Sequence, residues 1–348
     1  MKTRQLGRTD IQVPVICLGT MTYGTQTAQD DAHAQIDMAI DAGANFVDTA
    51  EMYPVNPITP ETQGDSERTI GAWNARSKRR SALIIATKHS GNGLAHIRGG
   101  ADITAASIPQ AIDASLERLQ TDYIDLYQFH WPNRGSYAFR QNWTFAPETK
   151  QDTGVTKQHM ADALGALQQA VDAGKIRAFG LSNESAWGTA SWLAQAEAGA
   201  GPRVATIQNE YSMLYRLFDT DLAELCHHEQ VGLLAFSPLA TGLLTGKYQG
   251  DVIPEGTRRA VYPDLGGRVT PRAFEAVAAY LELARAHDLD PAQMAIAWCC
   301  QRPFMASAII GATRLEQLPK LLEAGEMVLP DAVISAIDEI HRLHPMPY

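Results

Sequence analysis

The chain has 348 residues, of which 45% are hydrophobic and 20% are charged, and its formal net charge is −10 at pH 7. This balance is typical of a globular protein, and the negative charge argues against nucleic acid as a partner. No apolar run approaches the ~18 residues that cross a membrane. The first residues lack the apolar core of a signal peptide, and the 4 cysteines have no metal-binding spacing. A cytoplasmic protein with one domain over residues 1–348 is therefore expected.

Hydrophobic runs typical of strands alternate along the chain with segments of helical spacing. A small hairpin is predicted at 3–13. The predicted strands are 15–18, 46–47, 83–86, 123–129, 176–181, 204–207, 233–236 and 308–310. The predicted helices are 31–42, 65–75, 107–119, 160–173, 185–196, 222–228, 273–286, 294–300, 315–322 and 333–340. Two connections, 131–154 and 240–270, are long enough to carry function or to be mobile.

About eight strand–helix repeats predict an α/β fold, a (β/α)8 TIM barrel with an N-terminal β-hairpin and long βα loops. A doubly wound open sheet is the competing architecture. Successive predicted strands end in polar side chains: Asp48, Lys88, His130, Ser182, Asn183, Gln208 and Ser237. These side chains would meet at one rim of a barrel, whereas the reversed strand order of an open sheet would scatter them. The barrel is therefore favoured.

Four of the side chains near the strand ends have the types that carbonyl reduction needs. Tyr53 could give a proton to a developing alkoxide, although tyrosine is a weak acid with an ordinary pKa of about 10. An adjacent ammonium, Lys88, would lower that pKa, and Asp48 would hold the lysine in place. His130 could hydrogen-bond the substrate oxygen. Taken singly, each residue has an ordinary structural explanation as a cap, an ion pair or a packed ring.

Longer blocks around these residues resemble the aldo-keto reductase superfamily. The matching blocks follow the right order and cover nearly the whole chain, from about Arg4 to the last predicted helix. They are residues 46–53, 86–88, 122–132, 174–183 and 237–248. Residues 19–24, 50–54 and 60–64 are similar to the bacterial Tas-like branch in particular. The resemblance implies a barrel enzyme that reversibly reduces an aldehyde or ketone with NADPH.

The resemblance also implies roles for individual residues. Tyr53 would be the general acid in reduction and the base in oxidation, tuned by Lys88 and Asp48, and His130 would position the carbonyl. The cofactor would contact residues of five segments that follow predicted strands. They are Gly19, Thr20, Met21, Ser182, Asn183, Gln208, Phe236, Ser237, Pro238, Leu239, Gly242, Leu243, Lys247, Arg258, Gly311, Thr313, Arg314 and Gln317.

The nucleotide itself leaves only indirect signs. No G-x-G-x-x-G follows a strand, and residues 242–248 fall one residue short of a P-loop, which is compatible with a superfamily that uses neither motif. Lys247, Arg258 and Arg314 are candidates for the cofactor's 2′-phosphate, which favours NADP(H) over NAD(H). The alternative is that the arginines are solvated surface cations. Leu321 stands where relatives commonly have an adenine-contacting asparagine, so adenine recognition is expected to be looser.

The substrate is the least determined part. Tyr23, Met52 and Trp131 could wall an apolar site, together with aromatic residues of the loop at 137–145, or that loop could simply be fixed by its own rings. A metal-dependent hydrolase would need clustered ligands such as H-x-H, which are absent from the sequence. A second hypothesis stays open, a nucleotide-binding sensor or interaction subunit with slow turnover. A homo-oligomer is also compatible with the sequence.

Overall fold

The protein is described by a computed structural model that covers residues 1–147 and 152–348. Its strands are β1 (Thr3–Gln5), β2 (Gln12–Pro14), β3 (Ile16–Gly19), β4 (Phe46–Asp48), β5 (Ile84–His89), β6 (Ile124–Phe129), β7 (Ile176–Ser182), β8 (Val204–Glu210), β9 (Gly232–Phe236) and β10 (Met305–Ile310). Strands β3 to β10 pair in parallel, each with the next, and β10 closes onto β3. The (β/α)8 barrel is confirmed, and the open sheet is excluded.

Helices surround the barrel. They are α1 (Gln29–Asp41), α2 (Asp65–Ser77), α3 (Ser107–Leu119), α4 (Thr153–Asp172), α5 (Ala186–Glu197), α6 (Asp221–Glu229), α7 (Arg258–Val261), α8 (Pro271–Ala286), α9 (Pro291–Cys300), α10 (Leu318–Glu323) and α11 (Asp331–Leu343). Their buried faces and the outward-facing strand residues form the larger of the hydrophobic clusters. No helix among the described residues is long and apolar enough to cross a lipid bilayer.

The predicted N-terminal hairpin is confirmed as β1 paired antiparallel with β2. Its apolar side chains Leu6, Ile11 and Val13 are buried among the small and apolar residues that fill the barrel interior. Gly7 approaches the barrel so closely, at a positive φ of 59°, that a Cβ there would lie 2.7 Å from the Ala205 carbonyl oxygen. The hairpin therefore covers the N-terminal end of the barrel and leaves the opposite end open for chemistry.

Several strands run further than their hydrophobic runs predict. β5 continues through Thr87, Lys88 and His89, and β8 continues to Glu210. These added residues are polar but buried. They extend the strands because their backbone groups stay in the ladder with the neighbouring strands. The polar residues predicted to follow the strands therefore lie partly inside them.

Most predicted helix ends agree with the structure to within three residues, but two predicted helices differ more clearly from the observed ones. α4 begins at Thr153 instead of 160, because Asp152 accepts hydrogen bonds from the backbone N–H groups of Gly154 and Val155. Its first turns are exposed and lack the apolar spacing that begins at Met160. The helix predicted at 315–322 is divided into a 3₁₀ turn, Leu315–Gln317, and α10, which has a proline in its first turn.

Candidate active site

The polar ends of the strands meet at the C-terminal rim of the barrel. Gly19 of β3 pairs with Asp48 of β4, and Lys88 of β5 pairs with Gln128 of β6. Ser182 of β7 pairs with Gln208 of β8. The parallel register therefore places residues that are far apart in the sequence at the same height around one opening.

Asp48 and Lys88 form a buried ion pair beneath this opening. The Lys88 ammonium donates to Asp48 Oδ2 at 2.6 Å and to the Thr49 carbonyl at 2.7 Å. Neither charged side chain is more than 3% exposed. Burial opposes the charge on Lys88, but Asp48 and then Tyr53 outweigh it, so the pKa of Lys88 is raised above its ordinary value. The lysine is therefore a cation over the whole neutral range.

Tyr53 follows β4 on a short loop and lies next to this cation. The Lys88 Nζ atom is 4.8 Å from the centre of the half-buried Tyr53 ring. Burial raises the pKa of Tyr53, Lys88 lowers it, and the net direction is upward. The Lys88 ammonium thus lowers the pKa of Tyr53, as predicted, but in the free protein desolvation raises that pKa by more. The phenol keeps its proton at neutral pH, which is the state that a proton donor needs.

His130 comes directly after β6 and faces Tyr53. The two rings meet edge to face with their centres 5.8 Å apart. Burial, and then the Lys88 cation, hold the pKa of His130 well below its ordinary value, so the imidazole is neutral. Its Nδ1 atom is buried without a hydrogen-bond partner. A neutral imidazole at this place can hydrogen-bond a substrate oxygen without removing the proton from Tyr53.

The second carboxylate oxygen of Asp48 is held by two glutamine side chains. Gln208 Nε2 donates to Asp48 Oδ1 at 2.8 Å, and Gln128 Nε2 donates to the same oxygen at 3.3 Å. Gln208 Nε2 also donates to Gln128 Oε1 at 3.2 Å. No role was assigned to Gln128 from the sequence. An amide side chain within the apolar run of β6 could have indicated one, because a buried polar group needs hydrogen-bond partners.

A second buried ion pair fixes the loop that carries Tyr53. The carboxylate of Glu51 accepts two hydrogen bonds from Arg98, at 2.8 and 2.6 Å, and one from the Ser90 backbone N–H at 2.6 Å. Burial raises the pKa of Glu51, but Arg98 and its other partners outweigh this, so the net shift is downward. The pair joins the Tyr53 loop to the segment after β5. No residue pattern predicted that Glu51 and Arg98 would meet.

The segment after β9 has an unusual backbone. Ser237, Ala240 and Thr241 all have positive φ, between 47° and 57°, although none is glycine. Gly242 follows at φ 100°, and a Cβ there would lie 3.0 Å from Lys247 Cε. Strained turns of this kind occur at ligand sites and present successive N–H groups to anions. The segment is therefore a strained turn at the rim, in which the N–H groups of Ala240 and Gly242 donate to the Ser237 and Leu239 carbonyls.

Three cations lie near this segment or along the connection that follows it, and none of them is paired with a carboxylate of the described residues. Lys247 is exposed. Arg258 has a buried Nε atom without a hydrogen-bond partner, and burial, with Arg268 next, lowers its pKa to about 10. Arg314 reaches the same loop, since a Cβ on Gly256 would lie 2.7 Å from its Nη2 atom. A phosphate group would satisfy these cations.

The other residues predicted to contact a cofactor lie on the same rim. Asn183 donates to the His130 carbonyl at 2.9 Å, while its own side-chain oxygen is buried without a partner. Half-buried Phe236 ends β9. The remaining predicted contacts lie at the ends of β3 and β7, in the segments after β9 and β10, or, for Gln317, in the 3₁₀ turn Leu315–Gln317. They are Gly19, Thr20, Met21, Ser182, Pro238, Leu239, Leu243, Gly311, Thr313 and Gln317.

Apolar side chains form a wall beside Tyr53. Met52 packs against Ile97 and Ala50, and partly buried Trp131 and Leu94 complete this cluster. Tyr23 lies elsewhere. It is fully buried in the main core, and its hydroxyl donates to Gln35 of α1 at 3.1 Å. Of the three residues predicted to meet substrate, the structure thus places Met52 and Trp131 at the wall and Tyr23 away from it.

The fold is a (β/α)8 barrel with a cluster of buried polar and ionisable side chains at its C-terminal rim. Residues 15–342 match the aldo/keto reductase family, and the chain belongs to that family, which supports an oxidoreductase activity. The sequence is 42% identical to "Protein tas" of Escherichia coli (strain K12), over 100% of this chain and 99% of the relative. It is 30% identical to "Uncharacterized oxidoreductase YrpG" of Bacillus subtilis (98% and 96%). It is 29% identical to a "Probable voltage-gated potassium channel subunit beta" of Arabidopsis thaliana (99% and 98%).

Proposed function

We propose that this protein reduces an aldehyde or ketone to the alcohol with NADPH, and catalyses the reverse oxidation, with Tyr53 as the general acid or base. One observation carries the proposal. A protonated, half-buried phenol stands at the barrel opening between a buried ammonium, Lys88, and a neutral imidazole, His130. Family membership supports the same reaction class.

The chain's own residues would handle the proton. A bound nicotinamide would supply the hydride. His130 would donate a hydrogen bond to the carbonyl oxygen and hold it beside the Tyr53 hydroxyl. Tyr53 would then protonate the developing alkoxide, and the Lys88 ammonium would stabilise the phenolate that remains. Asp48 would keep Lys88 in place throughout.

The residues around the rim fit a dinucleotide phosphate. The unpartnered Asn183 oxygen can accept from a carboxamide N–H, and Phe236 at the end of β9 can stack on a nicotinamide ring. The strained segment at Ser237 and the Lys247 and Arg258 cations suit a diphosphate. Gly311, Thr313, Arg314 and Gln317, after β10, would hold the adenosine end.

The cofactor proposal gives a direct binding prediction. NADPH should bind more tightly than NADH, and Arg314→Ala should weaken NADPH binding about tenfold while leaving NADH binding nearly unchanged, since a charge-assisted bond to the 2′-phosphate is lost. Fluorescence titration measures both affinities. Arg285→Ala is the matched control, because this exposed arginine lies in the last turn of α8, away from the rim. Equal affinities of the unmodified protein for the two cofactors would contradict the prediction.

The apolar wall indicates the substrate class. Met52, Ile97 and Trp131 offer no charged partner for a polar substrate tail, so an aromatic or apolar carbonyl compound is expected. A carbonyl panel that includes 4-nitrobenzaldehyde and methylglyoxal, followed by loss of NADPH absorbance, tests the function. We expect a higher kcat/KM for 4-nitrobenzaldehyde. Absence of NADPH oxidation with every compound would remove the proposed function.

The same panel separates the reductase from the second hypothesis, a nucleotide-binding sensor or interaction subunit. Relatives that carry the name of channel subunits are compatible with that hypothesis but do not favour it. Tight NADPH binding with turnover slower than the release of bound cofactor would support the sensor. Sustained turnover with one carbonyl compound would support the enzyme.

The pKa directions predict the pH dependence of reduction. Burial holds the pKa of Tyr53 above its ordinary value and that of His130 well below its own. The kcat for reduction should therefore stay level between about pH 6 and pH 9, because neither group titrates near its ordinary pKa of about 10 or about 6.5. It should fall only in more alkaline solution, as Tyr53 loses its proton. A loss of activity centred near pH 6.5 that His130→Gln removes would contradict the assignment.

A further inference from the structure

Three side chains form a polar layer inside the mouth of the barrel. Asp48, Gln128 and Gln208 lie on the alternate strands β4, β6 and β8, as the members of one interior layer do in this fold. Such layers are usually filled by branched apolar residues. Each of these three is at most 3% exposed, so every unmade hydrogen bond would be costly. Polar side chains are tolerated in this buried layer because they hydrogen-bond one another.

Gln128 completes a triangle of hydrogen bonds with the other two, which also bind each other directly through Gln208 Nε2 and Asp48 Oδ1 at 2.8 Å. Its Nε2 atom donates to Asp48 Oδ1, and its Oε1 atom accepts from Gln208 Nε2. The two N–H groups of Gln208 Nε2 therefore donate to Asp48 and to Gln128. The Oε1 atom of Gln208 remains free to accept a hydrogen bond from a further group. Gly180, the partner of Gln128 on β7, would place a Cβ in ordinary contact with Gln128 Cγ, at 3.4 Å, but only 2.2 Å from Thr206 Oγ1, so this glycine makes room for Thr206 of β8.

We propose that Gln128 is a positioning residue that braces the contact between the cofactor-binding amide of Gln208 and the Asp48–Lys88 pair behind Tyr53. This inference rests on the proposed function. Gln128 touches neither substrate nor proton. It holds the Gln208 side chain so that Gln208 Oε1 is free to accept from the cofactor's carboxamide N–H. It also donates a hydrogen bond to Asp48, which moderates the effect of that negative charge and lets Lys88 act on Tyr53.

Gln128→Met tests the connection, because methionine has a similar length and no hydrogen-bonding amide. We expect NADPH to bind about tenfold more weakly, since Gln208 keeps Asp48 but loses Gln128 Oε1, the second acceptor that fixes its orientation. We also expect the alkaline limb of the kcat/KM profile to move to higher pH. Without the Gln128 amide, the negative charge of Asp48 is less stabilised by hydrogen bonds and acts more strongly on its neighbours, which raises the pKa of Lys88 and of Tyr53. Fluorescence titration and the pH profile of NADPH oxidation measure the two effects.

Tyr127→Phe is the matched control. Tyr127 precedes Gln128 on the same strand, is fully buried, and has a hydroxyl without a hydrogen-bond partner. Its substitution should change neither NADPH affinity nor the pH profile. The inference would be overturned if Gln128→Met kept the NADPH affinity and the pH profile of the unmodified protein. It would also be overturned if Tyr127→Phe lost as much NADPH affinity as Gln128→Met.

Gln128→Glu tests whether the hydrogen bond to Asp48 matters, because a merely structural role of Gln128 would not make the activity of this variant depend on pH. A protonated glutamic acid can still donate to Asp48, whereas its carboxylate would repel it. Burial and the nearby carboxylate should raise the pKa of the new side chain. Activity should therefore approach that of the unmodified protein at low pH and fall as the pH rises through that pKa. An even loss at every pH would overturn the inference.

The two proposals fail in different ways. If the unmodified protein oxidises no NADPH with any carbonyl compound, the proposed function and the role of Gln128 are both overturned. If the unmodified protein is active and Gln128→Met matches it in affinity and pH dependence, only the role of Gln128 is overturned. Circular dichroism of each variant confirms that the comparison is made between folded proteins.

Discussion

Replacing Tyr53 by phenylalanine should lower the rate of carbonyl reduction by at least about 100-fold, because general acid catalysis typically contributes that much or more. NADPH binding should be unchanged, since the hydroxyl is the only group removed and no cofactor contact is assigned to it. The measurements are the initial rate of NADPH oxidation with 4-nitrobenzaldehyde and the dissociation constant for NADPH.

The control for this prediction is Tyr127→Phe, which removes the same atom from a fully buried tyrosine whose hydroxyl has no hydrogen-bond partner. That variant should retain full activity. A Tyr53→Phe protein that reduces at the rate of the unmodified protein would show that the proton comes from elsewhere, and His130 would become the next group to test.

Replacing Lys88 by methionine should have the second large effect, and it should affect both activity and stability. Asp48 would remain buried without its charged partner, which typically costs about 3–5 kcal/mol in the free energy of unfolding. Reduction should also be lost, because the phenolate formed at Tyr53 would have no ammonium to stabilise it. Urea denaturation at neutral pH and the rate of NADPH oxidation measure the two losses.

A double variant separates the two losses. Asp48→Asn in the Lys88→Met background removes the buried unpaired charge, so much of the free energy of unfolding should return. Activity should not return, because the ammonium is still missing. Recovery of activity in the double variant would show that the lysine acts only through folding.

The pH dependence of this stability contribution has a definite sign. The pKa of Lys88 is raised in the folded protein. The contribution of the pair is therefore complete below the lysine's ordinary pKa and is lost only as the pH rises through the higher folded-state value. The difference in unfolding free energy between the unmodified protein and Lys88→Met should accordingly persist at neutral pH and shrink in strongly alkaline solution.

Much of the fold could be predicted from local patterns. Apolar runs and helical spacing depend on a few neighbouring residues, so they indicated eight repeats and the hairpin without knowledge of contacts. Element ends were less accurate. The polar residues of β5 extend a strand beyond its apolar run, and Asp152 begins α4 before its apolar spacing does. Both ends depend on hydrogen bonds that residue type alone does not reveal.

The sequence by itself determined the order of Asp48, Tyr53, Lys88 and His130 along consecutive repeats, and with it the family to which they point. Only the tertiary structure decided which side chains touch. Gln208 meets Asp48 across 160 positions of sequence, and Arg98 meets Glu51 across 47. It also decided that burial outweighs Lys88 in setting the pKa of Tyr53, and that Tyr23 belongs to the core. The reason is that burial and electrostatic interactions sum over neighbours in space, which the closed barrel supplies and the linear chain does not.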